Sequence, residues 1–196
     1  SSTMKAEATD QSLVFWCYVV VLYHGLRLNE IAGLCAEHVT TFLDVPCIGV
    51  RIPPAVLDQN IPGGTKTVAR VIPMHRVLVE LGLPEFATSR QQGAKLFPEA
   101  KTGVDGYASR DVSDKTRQFL NTLGIPPKGP TFHSLRHCFR DAMTEAELSQ
   151  DVMAFFGGWT LPGVMNQVYG SSRIHKSFKS QIDQISYGEI DKLILS

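Results

Sequence analysis

The chain lacks net charge: 19 lysines and arginines meet 19 aspartates and glutamates. That excludes an acidic scaffold and a disordered polyelectrolyte tail, so any nucleic-acid site must be local. Long apolar runs are missing as well. The most apolar stretch, Leu13 to Tyr23, has eleven residues, against the roughly 20 that a membrane-spanning helix needs, and it reads as a buried core helix. No basic segment precedes it and no small-residue cleavage site follows it, which speaks against a secretory signal. Cysteine is sparse: Cys17, Cys35, Cys47 and Cys138 are scattered without a CxxC pair and read as reduced core residues of a cytoplasmic protein. Internal repeats and low-complexity segments are absent too. What is present, over 196 residues, is 43% hydrophobic content, enough to bury the core of one large domain.

Residues 9–23 predict a first helix, with Asp10 as a possible N-cap and Gly25 as its terminator. A second, short helix is expected from Asn29 to Cys35. Between His38 and His75 the texture becomes β-branched, in Val39–Phe42, Cys47–Ile52 and Val68–Ile72, with Pro- and Gly-bearing turns between the clusters. These predict a small antiparallel sheet, whose last turn, Ile61 to Lys66, puts a lysine at the tip or shoulder of a hairpin. Helical texture returns after His75, with breaks at Gly82, at 98–106 and at the Pro-rich connector 124–130. Four helices should follow: Ser134–Glu147, Gln150–Phe156, a short one before Tyr169, and Arg173–Ile185. The fold class is therefore α+β, mostly α-helical with a small antiparallel β-sheet. The chain opens directly on a helix and can be a fragment of something longer.

The sharpest local signal is His133-Ser134-Leu135-Arg136-His137. On a helix, positions i, i+3 and i+4 share a face, so His133, Arg136 and His137 would point the same way. Arginine offers a planar fork of donors, and histidine adds a donor that can also move a proton. Such a set suits an anion, with phosphate the natural ligand. The two histidines also have the spacing of a zinc pair, but no glutamate lies between them and a cation on the same face would repel the metal. A polar surface helix is the plain alternative. Upstream, Gly25-Leu26-Arg27-Leu28-Asn29-Glu30 places an arginine at a helix start; taken alone, it reads as a surface arginine and a first-turn acid complementing the helix dipole. Gly157-Gly158-Trp159 offers an indole N–H donor, and Tyr169, ten residues after Trp159, offers a phenol that can attack phosphorus when cations stabilise its phenolate. Either aromatic alone is more often a core or rim residue.

Taken in chain order, these pieces resemble the tyrosine recombinase, or phage integrase, family. The resemblance rests on the Gly-Leu-Arg-Leu-Asn-Glu box, on Thr65-Lys66-Thr67 ahead of Arg70-Val71-Ile72-Pro73-Met74-His75, on the His-x-x-Arg-His box, on Gly158-Trp159, and on Tyr169. Most relatives have histidine where Trp159 stands, and the step from there to the tyrosine is one residue longer than is usual.

The resemblance implies the catalytic-domain fold of that family over residues 1–196, without the family's N-terminal core-binding domain, and with a tail at 170–196 that packs on a neighbouring subunit. It implies a site-specific DNA recombinase or integrase that cleaves and rejoins strands through a 3′-phosphotyrosine at Tyr169, with neither metal, cofactor nor ATP. Arg27, Arg136 and Trp159 would meet the charge on the phosphate oxygens, Lys66 would protonate the departing 5′-oxygen and His133 would handle the proton near the nucleophile. Glu30 and His137 would orient the others. The implied partners are double-stranded DNA and further copies in a tetrameric synapse, inside a prokaryotic cell or as a phage product. A type IB topoisomerase-like activity and an inactive DNA-binding relative are the alternatives.

Overall fold

A computed structural model describes residues 10–51, 70–125, 131–159 and 172–196. The apolar run forms α1, Asp10–His24, with Leu13, Trp16, Cys17, Val20 and Tyr23 all fully buried. A helix apolar on every side must be surrounded, and α1 packs against α5 (Ser109–Thr122) and α6 (Phe132–Glu145). It stops at Gly25, whose φ of 57° is left-handed and whose N–H closes on the Val21 carbonyl at 2.8 Å. α2 spans Leu28–Ala32, shorter than expected. Gly33 caps it, and Cys35 leaves the helix to bridge with Lys95.

Among the described residues the sheet is three antiparallel strands in the order β1-β2-β3: Val39–Phe42, Val45–Val50 and Arg70–Pro73. Leu43 and Asp44 both have positive φ, so they make the tight turn of a primed hairpin between β1 and β2 without the usual glycine. Pro73 sits opposite Cys47 at the end of β3, which is an edge strand among the described residues, where a missing N–H costs least. α3 (Arg76–Glu80) and α4 (Leu83–Thr88) follow. α7 (Gln150–Gly157) and α8 (Ser172–Ile182) pack against the sheet, and α9 (Glu189–Leu195) returns to α3. The expected hairpin turn 61–66 and the short helix before Tyr169 lie outside the described residues. No helix among the described residues is long and apolar enough to cross a membrane. Cys17 and Cys47 are core residues as expected, whereas Cys138 is exposed, because α6 turns Phe139, Ala142 and Met143 inward instead.

Residues after α8 are fixed to their own chain by polar contacts. The Arg76 N–H donates to Asp183 at 2.8 Å. Asp191, buried, accepts from the Tyr23 hydroxyl, from the Ser186 hydroxyl at 2.6 Å and from the Tyr187 N–H. Tyr187 spends its own hydroxyl on the Leu22 carbonyl at 2.7 Å, which leaves it unsuited to act as a nucleophile.

His75 links this tail to the core. Its Nε2 meets the Ile185 carbonyl at 3.0 Å, which requires Nε2–H, and its Nδ1 accepts from the Val77 N–H at 3.2 Å. Both ring nitrogens are thus committed to the neutral form. Burial pushes the imidazole down to about 4. The unfolded chain takes up this proton near 6.5 and the native one does not, so stability is lost as pH falls from 6.5 toward 4. Lowering pH from 7 to 5 should cost about 2 kcal/mol through His75. Urea midpoints at the two pH values check this, and His75→Asn, which keeps an acceptor at the helix N-cap, should remove that share of the difference.

Candidate active site

Chain segments distant in sequence meet around one carboxylate. Glu30, in the first turn of α2, is 5% exposed. Its Oε2 accepts the backbone N–H of Arg27 at 2.8 Å, satisfying a helix-start donor. Its Oε1 faces three guanidinium groups: Arg51 Nε at 3.1 Å, Arg70 Nη1 at 3.4 Å and Arg27 Nη1 at 3.7 Å. Burial works to raise the Glu30 carboxyl, but the charge of Arg70 and the Arg27 N–H outweigh it and hold the group below its ordinary value. It is therefore an anion at any pH at which the site could act.

Arg136 reaches the same region from α6. One Nη donates to the Gly25 carbonyl and the other to the Gly157 carbonyl. Gly25 ends α1 and Gly157 ends α7, so a single side chain clamps two helix termini. Its guanidinium carbon lies 5.1 Å from the centre of the Trp159 ring, a cation–π stack. Burial pushes the Arg136 guanidinium down to about 10, with Arg27 and Arg70 adding repulsion and Glu30 opposing it. It remains a cation at neutral pH, and two of the five guanidinium N–H donors are taken by carbonyls, so others stay available for an oxyanion.

The glycines here are close-approach positions. A side chain at Gly157 would collide with the Trp159 ring, and a Cβ at Gly158, where φ is 60°, would lie 2.8 Å from Arg70 Nη1. Trp159 is thereby laid across the end of α7 with its backbone N–H on the Ala154 carbonyl at 3.0 Å.

His133 and His137 occupy the exposed face of α6 with Nε2 atoms 3.1 Å apart and rings edge-on. One must donate and the other accept, so the two share one proton across that contact. Of the residues expected from sequence, Arg27, Glu30, Arg136 and Trp159 thus converge, and His133 and His137 flank Arg136 on its helix. Lys66 and Tyr169 lie outside the described residues. Arg70 and Arg51 were not foreseen as members of the cluster. Arg70 stands within the quoted 70–75 segment without a signal of its own. Arg51 holds a left-handed backbone, φ 58°, which nothing in its sequence announces.

A mostly helical domain with a three-stranded antiparallel sheet is the fold of a phage integrase: the integrase from mycobacterium phage Brujita matches with a TM-score of 0.58 at 16% identity, over 98% of this chain and 60% of that one. The sequence model of the phage integrase family matches residues 2–174, and the chain belongs to that family. No curated protein matches it. The chain spans 60% of the length of the Brujita phage integrase.

Proposed function

We propose that this chain is the catalytic domain of a site-specific DNA recombinase that breaks and rejoins strands through a phosphotyrosine at Tyr169. The supporting observation is the clamped Arg136, held between the Gly25 and Gly157 carbonyls and stacked on Trp159, within the electrostatic reach of Arg27. A guanidinium fixed in advance, with Arg27 near it and the Trp159 ring stacked on it, suits the charge that builds on the non-bridging oxygens of a phosphodiester under attack, and each donor there can contribute ~10²–10³ in rate.

In this reading the Tyr169 oxygen forms a bond to phosphorus as its proton passes to His133. The bond from phosphorus to the 5′-oxygen breaks, and Lys66 supplies that oxygen with a proton, a step that typically contributes roughly 10²–10⁴-fold. A 5′-hydroxyl, from the same or a partner strand, then attacks the phosphotyrosine and regenerates the phenol. The phosphoester energy is kept throughout, so neither ATP nor metal enters the balance. His137 orients His133, and Glu30 orients Arg27. The partners are duplex DNA and three further copies in a tetramer, in the cytoplasm.

Incubation with a nicked suicide duplex tests the reading. An adduct should form on a denaturing gel, resist EDTA, map by peptide mass to Tyr169 and vanish in Tyr169→Phe. An adduct on another residue, or one sensitive to EDTA, would refute it. Relaxation of supercoiled plasmid without strand exchange would favour the topoisomerase alternative.

A further inference from the structure

We propose that Arg70 is a positioning residue: it never meets the DNA, but holds the phosphate-binding groups in register from beneath. Arg70 opens β3 and is 4% exposed, too deep for contact with a nucleic acid. Its guanidinium faces Glu30 Oε1 through Nη1 at 3.4 Å and donates through Nη2 to the Phe156 carbonyl at 3.3 Å. It also fills the space under Gly158. One planar group therefore ties the sheet to the first turn of α2 and to the last turn of α7.

Each tied point carries a member of the site. Glu30 holds Arg27. The residue after Phe156 is Gly157, whose carbonyl holds Arg136, and the residue after Gly158 is Trp159, which stacks on Arg136. Stability alone does not account for such a pair, because a buried ion pair is commonly no better than an apolar pair of the same volume. A lysine would not replace it, since a point charge on a flexible stem lacks the fork that reaches carboxylate and carbonyl together. The chemical consequence assigned to Arg70 rests on the recombinase reading; its mechanical role does not.

Two readouts test it. The first is ¹⁵N relaxation of the Arg27 Nε–H in the free protein. The second is single-turnover cleavage of the suicide duplex across a range of DNA concentrations. In Arg70→Gln, Arg27 should become mobile and the rate at saturating DNA should fall roughly 10²-fold, with the half-saturating DNA concentration moving less than about threefold. Arg70→Lys should be intermediate in both. R70M/E30Q removes both buried charges and keeps an acceptor for the Arg27 N–H, so it serves where Arg70→Gln does not fold, and the same losses are expected. Arg27 as rigid in these variants as in the wild type overturns the proposal. So does a wild-type cleavage rate, or a defect confined to DNA affinity. If the wild type forms no adduct yet Arg27 loosens when Arg70 is changed, the recombinase reading fails and the positioning role stands.

Discussion

Arg136→Ala should lower strand cleavage by about 10²–10³-fold while the domain stays folded. The rate loss follows from what the side chain faces: a donor fork already oriented by two carbonyls, in a region where burial strengthens each charge interaction. Folding survives because the inward face of α6 is Phe139, Ala142 and Met143, none of which depends on the arginine. The stability cost is that of two carbonyls losing a donor, about 1–3 kcal/mol each at most. Arg136→Lys should recover little of the rate, since an ammonium cannot satisfy both carbonyls and still present a planar face to the phosphate. Single-turnover cleavage and urea melts of the same preparations separate the two effects. A melt that collapses to the unfolded baseline would make the residue structural, and a rate within threefold of the wild type would remove it from the site.

Gly25→Ala should be the most damaging small substitution for stability, at roughly 2–5 kcal/mol. Two costs add. A left-handed backbone disfavours any Cβ by about 1–2 kcal/mol, and the added methyl would drive into the Phe139 ring, which is fully buried, an overpacking that costs about 1–3 kcal/mol. The Gly25 carbonyl is also one of the two seats of Arg136, so the fraction that remains folded should cleave more slowly too. Gly93→Ala is the control: it shares a positive φ, 79°, but has nothing within 4 Å of the added atom. A Gly25→Ala melt no worse than that of Gly93→Ala would show that Phe139 yields without cost.

Elements defined by short-range pattern were legible in the sequence. The apolar run placed α1 within a residue at each end, and β-branched clusters placed all three strands. The motif boxes named Arg27, Glu30, Arg136 and Trp159, side chains that the fold brings into one region. What could not be read was held by distant partners. α9 escaped because Ile190 and Leu193 on it are exposed while its buried residue is the acid Asp191, paired to Tyr23 across 168 positions; no hydrophobic period marks such a helix. Arg70 escaped because its partners, Glu30 and the Phe156 carbonyl, are 40 and 86 positions away. Backbone carbonyls have no letter in a sequence, so the clamp on Arg136 was invisible there, although the residue itself was not.

Arg27, Arg51 and Arg70 crowd on one oxygen of Glu30, and Arg136 feels the charge of Arg27 and Arg70 as well. Each guanidinium raises the cost of keeping the others in place, and Glu30 offsets part of that cost. On the recombinase reading an arriving phosphodiester would relieve that mutual repulsion, so part of its attraction would be built into the fold. Repulsion within the fold and attraction toward a polyanion would then have one source, in the exposed Arg27 and Arg51.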